Sequence, residues 1–236
     1  VQAAVDAGIA HMAATEHYPI PDELDPSKRS TMPAERLEAY IDAVRGYYAK
    51  LGVKLEREDI LATSGGGEAL EFIMACILDD GDELLVPEPF YANYNTFTFM
   101  SGGVIHPIPT SADNGYRFAD RKLIESQINE RTRAILVTNP GNPTGLVLTH
   151  EEMRVIADVV KEHDLFLVAD EVYREFIYDD EPMGTFCEME DIKDHVIVVD
   201  SISKRFSACG ARIGSIISRN REFMAEAMKL CQGRLC

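Results

Sequence analysis

Cysteine is sparse and shows no paired spacing: there are five, at positions 76, 187, 209, 231 and 236, with no CxxC among them. An odd count without close pairs argues against a disulfide framework and for a reducing, cytoplasmic setting. Positive charge is also scarce. Against 40 Asp and Glu stand only 23 Lys and Arg, a net charge of −17 at pH 7. Such a surface repels polyanions, so general binding to nucleic acid or to an anionic membrane is excluded. No run of about 18 apolar residues is present to span a bilayer. The opening VQAAVDAGIA carries Asp6 where a secretory leader has a basic region, so no signal peptide is expected. The six histidines form no HExxH or other pair on one helix face, and a metal site is not expected. The chain begins at Val1 rather than at Met, which suggests a fragment or a natural start upstream.

What is present is the composition of a globular protein able to bury a sizeable core: 46% hydrophobic and 27% charged residues over 236 positions. From Asp59 onward, short β-rich runs alternate with helical stretches, the signature of a mostly parallel sheet covered by helices. About seven strands are expected, over 60–63, 83–87, 103–108, 134–138, 165–169, 196–199 and 213–217. Several are unbroken apolar runs, as strands buried on both faces require. Helices are expected over 1–14, 33–51, 68–78, 151–161 and from 222 to 230. Thr149 and Glu152 have the spacing of a capping box ahead of the fourth. The acidic stretch Asp79–Glu83 lacks the spaced ligands of a calcium loop and reads as a helix-to-strand turn. The polar, proline-containing segment EHYPIPDELDPSKRSTM reads as a loop or arm.

Four clusters fall where a predicted strand hands over to a loop or helix, the edge at which open α/β sheets bind ligands. Ser64-Gly65-Gly66-Gly67-Glu68 can cradle an anion on backbone amides at a helix start, or be a plain flexible turn. A dinucleotide fingerprint fits less well, because Leu70 occupies the third glycine position. Asn139-Pro140-Gly141-Asn142-Pro143-Thr144-Gly145 is a rigid turn, or a device that presets the direction of the Asn142 amide. Asp170-Glu171-Val172-Tyr173 leaves an apolar strand, where the acid either caps the next turn or pairs with a cationic ring nitrogen. Ser201-Ile202-Ser203-Lys204, with Arg212 eight residues later, is either two surface cations or a site with room for a bulky ligand among small residues. A desolvated lysine beside another cation has a lowered pKa and a nucleophilic amine.

In this order the clusters resemble those of the class I/II, fold-type I pyridoxal-phosphate aminotransferases. The resemblance runs from about Gly52 to the C-terminal end and includes GDELLVPEPFYANY at 81–94. It implies an α/β three-layer large domain over 53–236, preceded by N-terminal helices and an arm over 1–52. It also implies a C-terminal small domain, with its carboxylate-binding arginine, that is absent from this sequence. By residue, it implies that Lys204 carries pyridoxal 5'-phosphate as a Schiff base and moves the substrate α-proton. Asp170 would keep the pyridine nitrogen protonated, Asn142 and Tyr173 would bond the ring's phenolic oxygen, and Tyr91 would stack on the ring. Ser201, Arg212 and the amides of Gly66 and Gly67 would anchor the phosphate, with Ser203 a weaker candidate. Tyr18 fits poorly the family's tyrosine that reaches a partner's phosphate, because Pro19-Ile20-Pro21-Asp22 follows it. The implied activity is transfer of an amino group between an amino acid and a 2-oxo acid by a cytoplasmic homodimer. A C–S lyase on the same scaffold and a non-catalytic PLP-binding module remain as alternatives.

Overall fold

The computed structural model describes residues 34–178 and 184–233. The helix expected over 1–14, the arm that follows it, Tyr18 and Cys236 lie outside the described residues.

Helix α1 (Ala34–Lys50) forms because Leu37, Tyr40, Ile41, Val44 and Tyr48 recur at helical spacing and bury one face. It ends at Gly52, whose φ of 80° is the left-handed conformation that lets the Gly52 and Val53 amides turn back onto Ala49 and Tyr48 carbonyls. The chain then enters one seven-stranded sheet. Its strands are β1 (Ile60–Thr63), β2 (Glu83–Pro87), β3 (Val104–Ile108), β4 (Thr132–Thr138), β5 (Phe166–Asp170), β6 (Val196–Ser201) and β7 (Gly214–Ser218). Their order is β1-β7-β6-β5-β4-β2-β3. β7 runs antiparallel to both neighbours, and the other pairings are parallel.

Alternation along the strands divides the core in two. Leu61, Leu84, Leu136, Val168, Ile197 and Ile216 face a layer of α2 (Gly66–Ile77), α3 (Asn93–Met100) and α7 (Arg221–Gly233). Leu85, Ile135, Val137, Leu167, Val198 and Ile217 face α1 and α5 (His150–Glu162). Both faces are dry, which is why the central strands read as continuous apolar runs. The expected three-layer α/β fold is what the chain adopts. Thr149 and Glu152 exchange backbone bonds of 3.2 and 2.9 Å in the capping box that opens α5. Two short helices, α4 (Arg121–Glu125) and α6 (Ile202–Arg205), and the longer α3 were not expected from the sequence. Among the described residues no helix is long and apolar enough to cross a membrane.

Parallel strands bring their carboxyl ends to one edge. Thr138 pairs with Asp170 across β4 and β5, and Asp170 with Val199 across β5 and β6. Because β7 is reversed, its first residue, Gly214, joins that edge opposite both Ser201 and Thr63.

Candidate active site

A cleft of about 380 Å³ opens along this edge. Gly66, Gly67, Tyr91, Asn142, Asp170, Tyr173, Ser201, Lys204 and Arg212 all line it. The structure therefore brings together every residue that the resemblance assigned to a cofactor, from five separate stretches of chain.

One end of the cleft is built for an anion. Gly65, at φ 86°, precedes α2, whose first-turn amides, Gly66 and Gly67 among them, have no acceptor inside the helix. A side chain at Gly65 would lie 2.6 Å from Arg212 Nη2, so only glycine lets the guanidinium close over the loop. Arg212 donates to the Ser64 carbonyl (2.9 Å) and the Cys209 carbonyl (3.2 Å). Two backbone acceptors thus fix the direction of an exposed cation. Ser201 caps α6, accepting from the Ser203 amide at 3.1 Å, and its Oγ lies 3.1 Å from the Ile213 carbonyl and 2.8 Å from Ser203 Oγ. Both serine hydroxyls already have partners within the chain.

The floor is acidic. Asp170, only 5% exposed, accepts from the Tyr94 hydroxyl at 2.6 Å and, more weakly, from the Val172 amide at 3.3 Å. Burial is the main influence on its carboxyl and pushes its pKa above the ordinary value; Asp200 adds to the rise, while Tyr94, Val172 and Lys204 oppose it. Lys204 sits on α6, one turn beyond the end of β6, with its Nζ 5.7 Å from the centre of the Tyr173 ring. The neighbouring Arg205 donates to both oxygens of Asp200 at 3.0 and 3.2 Å, tying this turn back to the strand. Tyr91 is 38% exposed at the mouth, where Asn93 Nδ2 donates to its hydroxyl at 2.7 Å.

An anion cradle, an amine, a buried acid and an exposed ring on one cleft suit a flat ligand with an anionic tail and a basic ring nitrogen. The family model for aminotransferases of class I and II matches residues 13–236. The chain belongs to that family.

Among its aminotransferase relatives, an aspartate aminotransferase of Pyrococcus abyssi is 33% identical over 67% of this chain and 41% of its own length. An aromatic-amino-acid aminotransferase of Thermococcus litoralis is 31% identical over 73% of this chain and 43% of its own. The crystal structure of an aromatic aminotransferase from Pyrococcus horikoshii superposes with a TM-score of 0.80 at 26% identity, covering all of this chain and 58% of that one. The chain spans about two fifths of the length of the curated relatives it matches.

Several lining residues were given no role by the sequence reading, Tyr94, Phe97, Thr138 and Cys209 among them. Tyr94 matters most, being wholly buried and bonded to Asp170. The signal for it was the spacing of Tyr91 and Tyr94, three apart, which becomes visible only once a helix is recognised there. The sequence NYNTFTFM conceals that helix, because Asn, Thr, Tyr and Phe are poor helix formers.

Proposed function

We propose that this chain carries the cofactor-binding part of an enzyme that moves an amino group between an amino acid and a 2-oxo acid, using pyridoxal 5'-phosphate. The observation that carries the reading is the convergence of Lys204, Asp170, Arg212 and the Gly66–Gly67 cradle on one cleft. Bound there, the cofactor supplies an aldehyde that captures amines and a ring that accepts electrons from the substrate α-carbon.

The remaining chemistry belongs to the chain. Arg212, at the open end, offers a forked, charge-assisted grip on a phosphate, reinforced by the Gly66 and Gly67 amides at the start of α2. Ser201 and Ser203 share that end, and their hydroxyls can reorient between the Ile213 carbonyl and an anion. Asp170 places a carboxylate in a dry floor, where a protonated ring nitrogen is the cation that offsets its burial. Asn142 and Tyr173 supply hydrogen-bond donors beside the ring, and Tyr91 supplies a face for stacking. Lys204 Nζ is the amine that would hold the cofactor's aldehyde carbon, and the same amine would carry the substrate α-proton. Catalytic roles thus fall to Lys204, Asp170 and Tyr173, the groups that reach reacting atoms or the ring. A cytoplasmic homodimer, implied by the family resemblance, belongs to the same proposal.

Absorbance titration of the protein with pyridoxal phosphate, beside Lys204→Ala, tests the reading. A visible band that borohydride reduction abolishes in the wild type and that Lys204→Ala lacks supports it. A folded wild type without that band defeats it. Release of pyruvate and ammonia without amination of a 2-oxo acid would reassign the reaction to C–S lysis.

A further inference from the structure

The hydroxyl of Tyr94 lies between two strands at the floor of the cleft. Tyr94 lies in the first turn of α3 and is held on two sides by aromatic rings: edge-on against Tyr91 at 5.4 Å and stacked near Phe90 at 6.4 Å. Its Oη is 2.6 Å from Asp170 Oδ2 on β5 and 2.7 Å from Thr138 Oγ1 on β4, residues that are register partners. A carboxylate only accepts, so the tyrosyl proton goes to Asp170, and Thr138 must then donate to Tyr94. Burial and the adjacent Asp170 charge hold the Tyr94 hydroxyl well above its ordinary pKa, so it remains a donor. The order Thr138 to Tyr94 to Asp170 is therefore fixed.

We propose that Tyr94 is a positioning residue for the acid of this site: its donation to Oδ2 orients the Asp170 carboxyl and biases a proton shared with a bound ring nitrogen onto that nitrogen. The inference rests on the proposed role of Asp170 toward the cofactor. Its physical basis is that a hydrogen bond to the charged form of an acid favours that form, and the effect grows where water is excluded. Three other elements bear on the same carboxyl. The Asp200 carboxylate on β6 opposes its ionisation, Lys204 on α6 favours it, and the Val172 amide gives Oδ1 a long bond of 3.3 Å. Tyr94 makes the short bond, and it leaves Oδ1 with capacity to spare. Without the hydroxyl, the shared proton shifts toward Asp170 and the ring loses its charge.

Tyr94→Phe removes one oxygen and keeps the packed ring; Thr138→Val removes only the group that orients the hydroxyl. Two resonances report the effect. The first is the carboxyl carbon of Asp170, followed through a pH titration of the cofactor-free protein. The second is the ring nitrogen of bound, nitrogen-15-labelled pyridoxal phosphate. Tyr94→Phe is expected to raise the Asp170 titration midpoint and to move the ring-nitrogen signal toward that of neutral pyridine. Turnover of the loaded enzyme falls roughly ten- to a hundredfold, the value of a hydrogen bond to a charged group. Thr138→Val is expected to shift both signals in the same sense by less. An unmoved Asp170 midpoint in folded Tyr94→Phe overturns the proposal, and should that variant not fold, an unmoved midpoint in Thr138→Val does so. A wild type that binds no cofactor defeats the functional reading instead, while the carboxyl titration still judges Tyr94.

Discussion

Gly214 stands against Gly65 so closely that a Cβ at 214 would lie 2.6 Å from the Gly65 carbonyl carbon and 2.9 Å from the Gly66 nitrogen. The first residue of β7 and the anion cradle therefore share one space, and only backbone fits in it. Gly214→Ala is expected to push the cradle outward, with a cost of about 1–3 kcal/mol from overpacking and weaker binding of pyridoxal phosphate. Gly46, exposed in α1 with open space around its Cβ position, provides the contrast. Gly46→Ala should stabilise by about 0.5–1 kcal/mol through the helix propensity of alanine. Urea denaturation of the two variants should move in opposite directions, and a stable, tightly binding Gly214→Ala would refute the shared-space argument.

Arg212 tests the anion end separately. Its backbone is left-handed at φ 52°, and its guanidinium is aimed by the Ser64 and Cys209 carbonyls. Arg212→Lys keeps the charge but loses the fork, so affinity for pyridoxal phosphate is expected to drop roughly tenfold or more. Pyridoxal, which has no phosphate, should bind both forms alike. Equal losses for the two ligands would show that Arg212 shapes the cleft rather than gripping the anion.

The sheet was legible because its chemistry is one-dimensional. Runs such as Ala134–Val137 and Val196–Val199 are apolar at every position, and only strands buried on both faces demand that. The turn residues after them marked the sheet's carboxyl edge, and with it Asp170 and Lys204. What stayed hidden depends on contacts between distant segments. Tyr94 looks like one more aromatic in 81–94 until α3 turns it toward Asp170, and β7's reversal, which brings Gly214 to the cradle, has no local signature. Nor does the pairing of Arg205 with Asp200, which secures the turn carrying Lys204.

Asp170 makes a prediction about pH. Its burial raises the folded-state pKa above the ordinary carboxyl value, so the folded, cofactor-free protein holds this proton more tightly than the unfolded chain does. Folded-state stability from this group is then fully present below the unfolded pKa, about 3.9. It is lost as pH rises from there through the raised folded value. Asp170→Asn, with no charge to bury, should therefore melt at a higher temperature than wild type near pH 7 when cofactor is absent. Added pyridoxal phosphate should stabilise the wild type far more than the variant. A lower melting temperature for cofactor-free Asp170→Asn at that pH would mean that its neighbours already compensate the charge.

Glu171 and Arg174 form a deeply buried ion pair at this edge, with side chains 0% and 5% exposed. Glu171 also accepts from Thr185 Oγ1 at 3.0 Å and the Phe186 amide at 3.1 Å. Arg174 donates to the Tyr48 hydroxyl at 3.1 Å and lies 4.8 Å over the Tyr48 ring, which ties the turn carrying Tyr173 to α1. Removing only the cation strands a carboxylate in a dry core, so Arg174→Met is expected to cost about 3–5 kcal/mol in urea denaturation. Pairing it with Glu171→Gln removes the stranded charge while keeping an acceptor for Thr185 and Phe186. The double variant should therefore recover much of the loss, because the penalty lies in the unpaired charge rather than in the missing attraction. If the double variant is no more stable than Arg174→Met, the guanidinium acts mainly through its packing on Tyr48, and the ion pair is incidental to holding the turn.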